Sequence, residues 1–190
     1  MKKKIVYVYT ALTITLIIAF SLSWRGIMDM YRSSYDSILV NQPMKTYGTD
    51  RFQFQLPSDW SFRLQYFPGE EIKYHGGFTS PDNKIRGFAE VWKINISLKQ
   101  FLDESRFSPT GVADLKNYKM TPSTIGNYRG YVVTYSRMGN DNQYYSAAEY
   151  FVPMTGNEFF RISFFIKESD YNPSIKRLFD SIASTFKLKG

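Results

Sequence analysis

The sequence has no cysteine and a single histidine, His75, and these two shortages remove whole classes of chemistry. Without cysteine there is no thiol nucleophile, no thiolate-held zinc, no disulfide framework and no residue for lipobox-type lipidation. One histidine excludes a histidine-pair metal site. A serine triad would have to use His75, and no Gly-x-Ser-x-Gly elbow accompanies it. Glycine-rich phosphate loops are missing. Gly139-Asn140-Asp141-Asn142 offers oxygen ligands but lacks the spaced carboxylates and closing glutamate of a calcium loop, so it reads as a hairpin turn. No metal or cofactor is expected. Basic residues outnumber acidic ones 24 to 17, yet no basic run is dense enough for a nucleic-acid stripe, and nucleic acid is not expected as a partner.

Charge and proline are absent from Ile5 to Trp24, an apolar run of about the ~20 residues a helix needs to cross a bilayer. Ile5, Leu12, Leu16, Phe20 and Trp24 mark its length. A buried core helix would show an apolar stripe, whereas here apolar residues occur all round. A transmembrane anchor fits the length and flanks. A cleaved signal peptide is the alternative, since Lys2–Lys4 form a basic leader and Ala19-Phe20-Ser21 offers small residues at cleavage-like spacing. Three lysines precede the run and mixed charges follow it. An anchor would therefore leave residues 1–4 as a cytoplasmic tail, with everything after Trp24 extracytoplasmic at the cell membrane. The expected partners are the lipid bilayer, through residues 5–24, and an envelope protein.

Residues 25–49 read as a juxtamembrane stem and connector. Ile27, Met30, Tyr31, Ile38 and Leu39 recur near helical spacing, and Asn41–Asp50 holds Pro43 and Gly48. From Arg51 the period becomes two. Phe52, Phe54 and Leu56 alternate with polar residues, Pro57-Ser58-Asp59 turns the chain, and Trp60, Phe62, Leu64 and Tyr66 resume the pattern. Strands are expected over 72–79, 85–96, 128–137, 143–152 and 158–166, with turns at Ser80-Pro81-Asp82-Asn83, Gly139–Asn142 and Thr155-Gly156-Asn157. Ser97 caps a short helix with Leu98, Phe101 and Leu102 on its apolar side. A closing helix starts with Asn172 as cap and Pro173 as first residue. Its stripe is Ile175, Leu178, Phe179, Ile182 and Phe186.

The strand 158–166 is apolar on both faces, so its sheet should be covered by helix on one face and partly covered on the other. That defines an α+β domain over residues 50–188, an antiparallel β-sheet flanked by helices. With 18% aromatics there is ample material for a core without disulfides. Period-two grouping of the less apolar face gathers Glu90 and Trp92, Arg129 and Tyr131, Glu149, and Arg161. If those strands are neighbours, these residues meet among aromatics. They form either cross-strand ion pairs or a polar face for a ligand or partner. Glu90 with Glu149 is the one carboxylate pair that a glycan- or lipid-active hydrolase would use. Glu70-Glu71 reads as solvated.

Phe52-Gln53-Phe54-Gln55-Leu56-Pro57-Ser58-Asp59-Trp60 opens the domain; Tyr171, Phe179, Ile182 and then Ser184-Thr185-Phe186-Lys187 close it. This bracketing resembles the PsbP/Mog1-like fold family, in particular a bacterial membrane-anchored PsbP-like protein. The resemblance implies an αβα sandwich and a non-catalytic binding or assembly role beside a partner. It carries over no functional residue.

Overall fold

In the computed structural model, which describes residues 42–105 and 115–189, the chain builds two antiparallel sheets and two helices. The strands are β1 (Met44–Gly48), β2 (Phe52–Pro57), β3 (Ser61–Leu64), β4 (Ile72–Thr79), β5 (Arg86–Lys93), β6 (Lys116–Ile125), β7 (Tyr128–Met138), β8 (Tyr144–Pro153), β9 (Glu158–Lys167) and β10 (Lys187–Leu188). The helices are α1 (Leu98–Ser105) and α2 (Pro173–Ser184). Seven strands form the main sheet in the order β3-β4-β5-β9-β8-β7-β6, and a small sheet runs β1-β2-β10. The expected anchor Ile5–Trp24 and the stem up to residue 41 lie outside the described residues. Among the described residues no helix is long and apolar enough to cross a membrane.

Local chemistry explains the joints. The Ser80 hydroxyl donates to Asp82 at 2.6 Å and accepts from the Ile85 amide at 3.0 Å, closing the β4–β5 hairpin around Asn83 at φ +59°. In the β7–β8 hairpin, Asn142 adopts φ +58° and the Gly139 amide donates to the Gln143 carbonyl at 2.8 Å. Asn172 accepts from the Ser174 and Ile175 amides at the start of α2, and Pro173 takes the first helical position.

One face of the main sheet is sealed. Phe160, Ile162 and Phe164 of β9 are at most 1% exposed. Phe179 of α2 stacks on Phe164 at 4.3 Å, and Phe186 stacks on Phe160 at the same distance. Phe52 and Phe54 of the small sheet reach Phe160 at 5.7 and 5.5 Å. The opposite face is covered only at one end, where Leu102 of α1 joins Val133, Phe151 and Phe159 with Trp92 and Phe101 packed around them. Two-sided apolarity in β9 thus has two different covers.

Three expectations change. The connector over 41–50 contains a strand: β1 pairs with β2 from Met44↔Pro57 to Gly48↔Gln53. β6 was not expected, because its sequence KNYKMTPSTI alternates poorly and holds Pro122. It is an edge strand, where a proline with no amide to donate is tolerated. The alternation after Trp60 does not stay buried. Trp60 is 6% exposed, but Leu64 is 50% and Tyr66 94% exposed, because β3 is the other edge and ends at Leu64.

Candidate functional site

Five consecutive strands of the main sheet each contribute one side chain to a continuous polar chain across the half-covered face: His75 (β4), Glu90 (β5), Arg161 (β9), Glu149 (β8) and Tyr135 (β7). Register places them. His75 and Glu90 are direct cross-strand partners, as are Glu90 and Arg161. Glu149 lies opposite Ser163, two residues along from Arg161 on the same face.

The geometry is dense. His75 Nδ1 lies 2.7 Å from Glu90 Oε1; an ionised carboxylate only accepts, so Nδ1 carries the proton in this contact. The Trp92 indole donates to Glu90 Oε2 at 2.7 Å, and Arg161 NH1 lies 3.4 Å from the same oxygen. Arg161 Nε and NH2 both reach Glu149 Oε2, at 2.9 and 2.7 Å. The Tyr135 hydroxyl donates to Glu149 Oε1 at 2.6 Å, and Arg161 Nε also donates to Ser163 at 3.0 Å. The guanidinium lies 4.8 Å from the Phe88 ring and 5.5 Å from Phe151, so its faces meet aromatic quadrupoles while its edges meet carboxylates. Burial holds the Tyr135 hydroxyl far above its ordinary range, and the Glu149 carboxylate pushes it the same way. Tyr135 is therefore a neutral donor.

Glu90 and Glu149 are 4% and 3% exposed, and all four of their oxygens are engaged. A carboxylate so occupied cannot pass a proton to a substrate without dismantling the cluster. The arrangement clamps strands together and is poorly suited to general acid–base work.

Of the six residues expected on this face, Glu90, Trp92, Glu149 and Arg161 meet. Tyr131 lies opposite Phe151 and packs into the cluster under α1. Arg129 does not join: it is exposed and pairs with Thr124 at the far end of β7. It shares the face by period but sits six residues from Tyr135, about 20 Å along a strand. His75, which falls in the strand expected over 72–79 and outside the expected polar face, belongs to the cluster, as does Tyr135. The turn at Ser80–Asn83 already implies that His75 faces Glu90, and continuing the alternation from Tyr131 and Val133 reaches Tyr135.

Beyond the cluster, away from α1, the same face is open. Gly77 faces Phe88, Arg63 lies opposite Gly77, and Arg86 lies opposite Thr79. A cavity of about 430 Å³ is bounded there by Arg63, Arg86, Gln65, Ser61, Thr79 and Gly77, with Phe62, Phe78 and Gly87 completing its wall. Arg137 stacks at 4.9 Å over Phe165, which is Arg86's cross-strand partner. On the sealed side a groove of about 700 Å³ runs between α2 and β6–β7. Its acid, Asp180, is already held by the Tyr150 hydroxyl and Lys176, each at 2.7 Å. Among the described residues no group of three or more His, Cys, Asp or Glu could hold a metal.

No family model matches the chain, and no curated relative does either. Solved structures do. The solution structure of cyanobacterial PsbP (CyanoP) from Synechocystis sp. PCC 6803 superposes with a TM-score of 0.53 at 16% identity, covering 76% of this chain and 92% of that one. The domain has a PsbP-like fold. A crystal structure of a Bacteroides thetaiotaomicron VPI-5482 protein gives a TM-score of 0.51 at 19% identity over 77% of this chain. It covers 48% of that protein, so the PsbP-like chain spans about half its length. At such identities the likeness is one of backbone architecture. The ion cluster and the arginine-lined cavity are properties of this sequence.

Proposed function

We propose that the chain is a single-pass, membrane-anchored extracytoplasmic binding or accessory protein whose PsbP-like domain performs no catalysis of its own. The observation that carries this reading is the saturation of Glu90 and Glu149. The carboxylate pair that a hydrolase would use is spent on holding five strands together, while the neighbouring open face presents the exposed Arg63 and Arg86 beside half-buried Phe88 and Phe165, the cationic and aromatic character of a contact surface. The PsbP-like fold supports the same reading. The anchor rests on Ile5–Trp24 and the lysines before it.

Two measurements test it. Native protein should stay in the membrane pellet after alkaline carbonate washing and retain its original amino terminus. A mature chain starting near Leu22 would instead identify a secreted binding module, the reading favoured by Ala19-Phe20-Ser21. A photo-cross-linker at Ser61, on the open face, should capture an envelope protein in intact cells, and one at Lys176 on α2 should not. Equal capture at both positions would defeat the assignment of the face.

A further inference from the structure

We infer that the cavity over Gly77 is a phosphate-binding site, in which Arg63 and Arg86 clasp the oxyanion from two sides. The inference names the ligand class of the face read above as a binding surface, and it rests on that reading.

The first support is the charge arrangement. Arg63 on β3 and Arg86 on β5 flank β4, two strand spacings apart across the sheet and staggered by two residues along it, so their backbones stand roughly 12 Å apart with side chains on one face. Both border the cavity, and no carboxylate borders it. Among the described residues neither arginine has an ion-pair partner, while Arg51, whose guanidinium is also exposed, is paired with Glu158. Both are exposed cations on the border of one cavity, so an anion seated in it is attracted from two sides.

The second support is Gly77. Gly76, beside it, has no room for a side chain, since a Cβ there would strike the Phe62 ring at 2.2 Å. At Gly77 a Cβ would meet nothing within 4 Å, and the backbone is not left-handed. Neither sterics nor φ requires glycine at position 77. The missing side chain leaves the floor of the cavity open.

Phosphate suits this shape better than carboxylate. A planar carboxylate has two oxygens and is satisfied by one bidentate fork, whereas a tetrahedral phosphate can accept a fork from each side and keep an oxygen for the neutral donors Thr79 and Gln65 that border the site. The phosphate can come from a lipid headgroup or from a small phosphoester in solution.

The test uses the full chain in a neutral detergent. Calorimetric titration with glycerol 3-phosphate, and separately with phosphatidylglycerol in mixed micelles, should show saturable binding that sodium chloride at matched ionic strength does not reproduce. Saturation by glycerol 3-phosphate identifies a soluble phosphoester site, and saturation by phosphatidylglycerol alone identifies a headgroup site; either supports the inference. Arg63→Gln and Arg86→Gln should each weaken binding about tenfold, as loss of a charge-assisted hydrogen bond implies. Gly77→Val should abolish binding while leaving thermal unfolding unchanged. No saturable binding to either probe would overturn the inference, as would wild-type affinity in Gly77→Val. If the Ser61 cross-linker still captures a partner in that event, the binding face stands and only its ligand class is wrong.

Discussion

The two faces of the main sheet are stabilised by opposite means. The sealed face is a block of stacked rings, Phe160, Phe164, Phe179 and Phe186 with Phe52 and Phe54, and is non-directional in what it needs: volume and apolarity. The other face is held across its middle by a directional chain of hydrogen bonds and charges from His75 to Tyr135, in which all four oxygens of Glu90 and Glu149 have partners. A packed face can absorb variation by repacking. A face built on matched charges cannot lose one member without stranding the rest.

That contrast can be tested first with its largest expected effects. Phe179→Ala on the sealed face and Arg161→Ala on the other should each destabilise the domain by about 3–5 kcal/mol in denaturant unfolding, by a cavity in one case and stranded buried carboxylates in the other. The two losses should separate on rescue. Replacing Arg161, Glu90 and Glu149 together by Met, Gln and Gln removes the charges as a set and should recover most of the loss, leaving about 1–2 kcal/mol or less. If the triple variant is as unstable as Arg161→Ala, the charges are not the reason for its cost.

A pH series sharpens the same comparison. Burial raises the Tyr74 hydroxyl to about 12 from its ordinary 10.0, and burial likewise raises Tyr135 and Tyr150. A folded-state value above the unfolded one means the stabilisation is complete below pH 10 and is lost as pH rises through the folded value. Stability should therefore be flat with respect to these groups up to about pH 10 and fall steeply between pH 10 and 12, with a shallower fall in Tyr74→Phe. The smallest effect is expected at the start of α2, remote from the ion cluster. Asn172→Ala removes the acceptor for two amides and should cost about 1 kcal/mol, with no change in the slope of the pH series.

Most of the sheet was legible because its local signals agree. Alternation in 52–56, the apolar residues on both faces of 158–166, turn residues at 80–83 and 139–142, and the Asn172-Pro173 start of α2 each point to the element observed. The misses share a position. β1, β3 beyond Trp60, and β6 lie at or near sheet edges, where one side is wet and hydrophobic patterning relaxes. Pairing with a neighbour, invisible along the chain, supplies the order there. The site was half legible for a related reason. Period two assigns Glu90, Glu149 and Arg161 to a face, and it assigns Arg129 there as well. Only the stagger between strands separates them, bringing Tyr135 and His75 in and leaving Arg129 out.

By itself the sequence determined which chemistries are unavailable, where the apolar run lies and which residues alternate into the core, because composition and periodicity are properties of the chain alone. The tertiary structure decided which charges are consumed and which are left over. Glu90 and Glu149 are spent on Arg161, His75, Trp92 and Tyr135, while Arg63 and Arg86 keep theirs above an empty Gly77. The physical reason is distance: an ion pair exists only where strand order and register bring opposite charges within a few ångströms.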